Sequence, residues 1–176
     1  MNEPKESIDG MMDAKVAEPG QAMPDIPPDA AKLVESIKST AVECFDRDGY
    51  CMAVMASIVN GEIEIVGFPQ VDAKIKDMAG VMLQQKSESC DAVVFVCEAW
   101  CLRMDVGKDS ALPGIRVPKP RHSPNRTEAV VLRLLIKDRQ VLWMNPILRP
   151  ENKLSGWVLQ GDTAAGAQVQ GENFDR

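Results

Sequence analysis

Apolar residues recur at three- and four-residue steps from Pro28 to Arg47. Ala30, Leu33, Val34, Ile37, Ala41, Cys44 and Phe45 form a single stripe, the pattern of a helix buried along one side. Pro28 suits a first helical turn, and Asp29 puts an acid at the positive end of the helix dipole. Asp48-Gly49 supplies the stop, with Gly49 free to take a left-handed cap. The period then falls to two. Residues 50–59 and 62–68 are β-type runs around Asn60-Gly61, the preferred two-residue hairpin turn. Pairing outward from the turn sets Ile58 opposite Ile63 and Ala56 opposite Ile65. It predicts the isoleucines inward and Glu62 and Glu64 outward.

Pro69 ends the second strand, and residues 70–87 read as another amphipathic helix with Val71, Ile75, Met78, Ala79 and Met82 on its buried side. Ala92–Met104 is apolar at both parities: Val93, Phe95, Cys97, Ala99 and Cys101 on one face, Val94, Val96, Trp100 and Leu102 on the other. A strand covered on both faces, in the middle of a sheet, has this character. A long connection, 105–127, leads to a last hairpin, Glu128–Lys137 and Gln140–Leu148, turning at Asp138-Arg139. Leu154 and Trp157–Leu159 fit an edge piece, and 160–176 reads as a frayed tail.

The order is α-β-β-α-β-β-β. It predicts one α+β domain over residues 28–160, a mainly antiparallel five-stranded sheet with helices packed on it, between an arm (1–27) and a tail (161–176). Roadblock and profilin-like domains resemble this chain in element order alone, which implies no function.

Residues 1–27 mix Pro, Gly, Met and acids without periodicity. They hold too little apolar surface to offset ordering entropy, so a disordered arm is expected. The alternative is a segment that folds on a partner through Met11, Met12, Val16 and Met23. Charge sharpens the division. Residues 1–30 hold seven acids against two lysines, a net of −5 within a total of −6. The remaining chain is nearly neutral, so the acidic character belongs to the arm.

Composition is that of a globular protein, 45% hydrophobic and 26% charged. The five cysteines, Cys44, Cys51, Cys90, Cys97 and Cys101, are odd in number and form no C-x-x-C pair. They read as small buried hydrophobes in a reducing compartment. Met1–Met12 has no apolar core of a signal peptide, and no run of about 18 apolar residues would span a membrane. The cytoplasm is the expected location.

Chemistry is narrowed mostly by exclusion. One histidine, His122, rules out sites that need two imidazoles from one chain. No phosphate loop, dinucleotide fingerprint, nucleophile elbow or zinc ribbon occurs. No metal and no cofactor are therefore expected. Glu98 interrupts the central strand on the face of Val96 and Trp100. A buried carboxylate without partners costs several kcal/mol. It must meet donors or a cation, stay protonated, or open to a cleft. A structural ion pair with an arginine such as Arg133 is the first reading, and a cleft carboxylate acting as a general base the second. Cys97 and Cys101 lie among apolar residues, which keeps thiols protonated and inert. Tryptophans 100, 143 and 157 read as core, although Trp143 alternates with Val141 and Asn145 and would mark an interface if exposed.

Within the long connection, residues 114–127 carry Arg116, Lys119, Arg121 and Arg126 with no acid, and Pro118, Pro120 and Pro124 stiffen them. Such a segment suits a phosphate, nucleic acid or acidic protein partner, or is simply solvated. The run Phe95-Val96-Cys97-Glu98-Ala99-Trp100, then a Pro-rich stretch with His122-Ser123-Pro124-Asn125-Arg126 and a hairpin, resembles a group of small bacterial and phage proteins. That resemblance implies no activity, but it joins Glu98, Trp100, His122 and Arg126.

The leading expectation is a non-enzymatic protein-interaction module acting through residues 114–127, with Arg116, Lys119, Arg121, His122, Arg126 and Trp100 in contact. Nucleic-acid contact through the same cations is the alternative. A hydrolase or transferase using Glu98 and His122 ranks last. The partner is unnamed by sequence, and the oligomeric state, a homodimer included, is open.

Overall fold

The computed structural model describes residues 25–68, 73–102, 126–137 and 139–164. The arm up to residue 24, most of the 105–127 connection and the tail beyond residue 164 lie outside them. Helix α1 is Pro28–Asp48, closed by Gly49 at φ 74°, whose N–H donates to the Phe45 carbonyl at 2.8 Å. Every residue of the expected stripe is buried except half-buried Cys44. Strands β1 (Ala53–Val59) and β2 (Glu62–Phe68) pair in the expected register, Ile58 with Ile63 and Ala56 with Ile65. Asn60 and Gly61 both take positive φ, 52° and 80°, as a turn matched to strand twist requires.

Helix α2 (Ala73–Ser89) follows, then β3 (Ala92–Leu102), β4 (Arg126–Ile136), β5 (Arg139–Leu148), β6 (Lys153–Leu154) and β7 (Val158–Ala164). The sheet has seven strands in the order β2-β1-β3-β4-β5-β6, with β7 also on β5. All described pairings are antiparallel. β3 is central, as its two-sided apolar pattern requires. Three details differ from the sequence reading. The last hairpin turns from Lys137 onward, earlier than expected, because Ile136 pairs with Arg139 and Lys137 takes φ 47°. The sheet continues past Leu148 into β6 and β7, so residues 160–164 are strand, not tail. On α2 Met78 is half exposed, while Ala79 and Leu83 are buried.

Register assigns side chains to two faces. One face carries Ala56, Ile58, Val94, Val96, Val130, Leu132, Leu134, Val141 and Trp143, the floor of the larger core beneath α1. The other carries Met55, Phe68 and Val93 under Ala79 and Leu83 of α2. Trp143 is 3% exposed and lies in the main core, with the Lys38 ammonium 4.6 Å from its ring centroid. Lys38 itself is buried along its stem and ion-paired to Glu35 at 3.0 Å, a cation over an aromatic face with its head at the rim.

The sheet edges are fastened by charge. Lys86 of α2 reaches Glu64 of β2 at 2.7 Å and the Ser57 hydroxyl at 3.3 Å. At the opposite edge Arg139 forks onto Asp162 of β7 at 2.6 and 2.5 Å, and its Nη1 donates to the Asp25 carbonyl. The Arg139 guanidinium holds the Asp162 carboxyl below the usual carboxylate range. Such a group contributes stability above the unfolded carboxylate pKa and loses it as pH falls through the lower folded value. The pair is about one-third exposed, so screening limits it to about 1 kcal/mol. Urea unfolding of Asp162→Asn should show a loss of at most that size at neutral pH, closing as the pH drops below the carboxylate range. In the core, Leu132→Ala should cost about 2–5 kcal/mol, whereas Val81→Ser, at a position 57% exposed, should stay within about 0.5 kcal/mol of wild type in the same assay.

Candidate functional site

The sheet has a turn end, marked by Asn60-Gly61 and Lys137, and an open end where β3 finishes and β4 begins. Glu98 lies near the open end of β3, opposite Val130 and on the α1 face. It is 7% exposed, and its Oε1 accepts the backbone N–H of Cys51. Arg133 pairs with Phe95 and so points to the other face, where its Nη2 donates to the Gln140 Oε1 at 2.5 Å. The expected Glu98–Arg133 ion pair is therefore excluded by register: the two residues are an odd number of strand positions apart. The carboxylate is met instead by a backbone donor from the turn between α1 and β1. It ties the end of the helix to the middle of the sheet.

Trp100 and Arg126 follow on the same face. The Arg126 guanidinium carbon is 4.7 Å from the Trp100 ring centroid, close enough for cation–π attraction. Glu128, opposite Trp100, accepts Nε and Nη2 of Arg149 at 3.0 and 2.8 Å. Arg149 Nη1 donates to Asn152 Oδ1, and Asn152 Nδ2 reaches the Gly49 carbonyl at 3.4 Å. Asn145, 1% exposed, accepts the Gly156 N–H at 2.7 Å. These contacts link β4, β5 and the segment after β5 to the cap of α1. They are the bonds of a structural clasp.

Of the residues expected to bind, Trp100 and Arg126 are brought together, while Arg116, Lys119, Arg121 and His122 lie outside the described residues. The Glu98–His122 pair and any Cys–His pair share that position. Cys97 is buried on the α2 face and Cys101 half-buried beside it, opposite to Glu98. Among the described residues no three His, Cys, Asp or Glu side chains converge as metal ligands, and no helix is long and apolar enough to cross a membrane.

The feature missing from the sequence reading is a groove of about 550 Å³ on the α1 face. One wall is the side of α1 from Asp29 to Cys44, including Leu33, Ser36, Ile37, Thr40 and Ala41. Val54, Ile58 and Val96 form the floor. Ile63 and Ile65 form the β2 side, and Cys51 and Met52 close the open end. Both isoleucines point to the α1 side, as the register predicted, yet they are 58% and 64% exposed. The expectation that they are buried is overturned because α1 packs mainly over β3, β4 and β6 and leaves a groove between itself and β2. The signal was present in the sequence as a mismatch: more strands than two helices can cover.

The chain matches no family model, no curated protein and no solved structure.

Removing Glu98 tests the clasp. Glu98→Ala takes away the Cys51 acceptor and should cost about 1–3 kcal/mol of unfolding free energy. Glu98→Gln keeps an acceptor and should cost less. Hydrogen exchange at the Cys51 amide should quicken in the alanine variant and change little in the glutamine one.

Proposed function

We propose that the chain is a non-enzymatic protein-interaction module that receives an amphipathic helix in the groove between α1 and β2. One observation carries the reading. Ile63 and Ile65 lie on the core-facing side of the sheet, and no helix among the described residues covers them. Large exposed aliphatics gathered beside an apolar floor mark an interaction surface. The dimensions favour a helix. The groove runs over Val54 and Ile58 of β1 and the exposed Ile63 and Ile65 of β2, two strands or about 10 Å wide, and a helix with side chains measures about 10–12 Å. Helix-in-groove recognition uses this geometry, with anchors at three- and four-residue steps.

The cations of residues 114–127 add the second part of the reading. Arg126 opens β4 at the end of the sheet where Cys51 and Met52 close the groove, and Arg116, Lys119 and Arg121 precede it in the chain. A partner helix bearing acids beyond its apolar ridge suits both. Glu98 and Glu128 support a non-enzymatic role, since each is engaged in the clasp.

A displayed library of short helices, panned against the full chain, tests the groove. Binders should carry apolar residues at helical spacing. They should lose affinity about tenfold or more, ~1.4 kcal/mol, on Ile65→Glu. They should weaken further with salt through Arg126, an effect that Arg126→Glu removes. Binders indifferent to Ile65→Glu would sink the reading. A salt-steep shift with RNA or DNA that survives Ile65→Glu would assign the cations to nucleic acid instead.

A further inference from the structure

We infer that the groove between α1 and β2 receives helix α2 of a second copy of this chain, so that copies stack head to tail. The inference rests on the groove reading above and names the partner of that site. Four features lead to it.

The first is that the chain displays the kind of helix its groove fits. Helix α2 buries Ala79 and Leu83 against its own sheet, while Met78 and Val81 are 51% and 57% exposed. Standing three positions apart, they are neighbours on the outer side of the helix. Five of the seven large hydrophobics exposed among the described residues belong to these two surfaces: Met78 and Val81 on α2, and Met52, Ile63 and Ile65 around the groove. A single kind of contact between copies brings the two sets together.

The second is charge. From Met78 to Gln85 α2 has no charged residue, although Gly80, Val81, Gln84 and Gln85 are exposed. The solvated side of a helix ordinarily bears charged residues. The groove has the same character: beyond Asp29 and Lys32 at its turn end, its lining is uncharged as far as Met52. Interfaces between proteins are depleted of charge at their centres. The lengths agree as well. The uncharged part of α2 spans about 12 Å, and the groove wall from Leu33 to Cys44 about 16 Å.

The third is shape. The groove is a hollow and α2 is a ridge, so the two are complementary where like surfaces are not. Symmetric pairing through α2 covers Met78 and Val81 but leaves Ile63 and Ile65 open. Symmetric pairing of two grooves sets one hollow over another. Edge-to-edge pairing through β2 extends the sheet and leaves both surfaces exposed.

The fourth is direction. Helices α1 and α2 pack on opposite faces of the sheet, so the accepting and donating surfaces of one copy point apart. Such a contact is heterologous: it does not close on two copies and continues as a row or a ring. One helix side in one groove is also a small interface, of the class that associates weakly. The extent of stacking therefore follows protein concentration.

Sedimentation equilibrium of the full chain reads the assembly. The weight-average mass should climb with concentration and pass that of two chains. A mass that stays at one chain into the millimolar range overturns the inference, and so does a plateau at two chains. Val81→Glu spoils the donated helix and Ile65→Glu the accepting groove, and each variant alone should be monomeric. Mixed in equal amounts they should form a species of two chains and no larger, because one intact groove then meets one intact helix. Self-association of either variant alone, or no complex in the mixture, overturns the inference. Val81→Ser, which spares the fold of the single chain, should move the rise in mass to about tenfold higher concentration. Unchanged stacking in Val81→Ser overturns the inference even where an acidic variant fails to fold. If displayed helices bind the groove and the wild-type chain stays monomeric, the stacking inference falls alone. If displayed helices are indifferent to Ile65→Glu, the groove reading falls and this inference with it.

Discussion

One helix covers about two strands, because strands lie about 4.8 Å apart and a helix with its side chains is about 10 Å across. The sheet here is six strands wide along its main path and carries one described helix on each face. The position of α1 then decides what else the fold must do. Its stripe, with Leu33, Val34, Ile37 and Phe45 each under 9% exposed, seats where the floor is most apolar, on Val94, Val96, Leu132 and Leu134 of the central strands. Seating there maximises burial, the dominant favourable contribution to folding. It also leaves β2 uncovered on that face. The groove is the remainder of a packing problem in which the centre of the sheet wins over its edge.

The buried polar groups hold α1 in that place. Glu98, an acceptor in the middle of an apolar strand, is costly unless donors meet it, and the Cys51 N–H can do so only when the chain turns back directly after Gly49. Asn152 on the Gly49 carbonyl and Arg149 on Glu128 act from the other side of the same turn. A small shift of the α1 terminus would break several of these bonds together, so the clasp makes the helix position close to all-or-none. Rigidity on one wall of the groove is what a docking surface requires, since a preorganised site loses less entropy on binding. The other wall is fixed separately, by Lys86 of α2 reaching Glu64 and Ser57 from the opposite face.

The elements were legible in the sequence because each carried its own local signal. The α1 stripe, the Asn60-Gly61 turn and the two-sided β3 run are patterns written within about twenty residues, and each formed where the pattern placed it. What depended on the third dimension was not legible. Glu98 and Arg133 look like partners in the linear sequence, but pairing Phe95 with Arg133 sends them to opposite faces, and only register decides that. Ile63 and Ile65 alternate with Glu62 and Glu64 as a half-buried strand does, and they do face the core side. Their exposure follows from how far α1 extends, which no local pattern records. The strands after Leu148 were legible only as the edge piece at Leu154 and Trp157–Leu159, for a related reason: β7 runs on through Gly161, Asp162 and Thr163 in place of long aliphatics, and it forms because β5 offers an edge to pair with. Of the expected binding residues, Trp100 and Arg126 were joined in the sequence only by the motif resemblance; β4 begins at Arg126 and not at the expected Glu128, and that start brings the guanidinium to the Trp100 ring.

An uncovered aliphatic pair beside an edge strand is a hazard for any chain, since it invites association with whatever apolar surface it meets. The β2 edge carries the usual deterrents, with Glu62 and Glu64 set into the strand itself. Those charges point to the α2 face, however, and Glu64 is drawn toward Lys86. They discourage a second strand from pairing in register but do nothing to shield the α1 face. The protection is thus directed at edge pairing and absent where a helix would lie. A surface guarded against one mode of association and left open to another is selective by construction. That asymmetry, more than the apolar area alone, supports the proposal that the groove receives a helix.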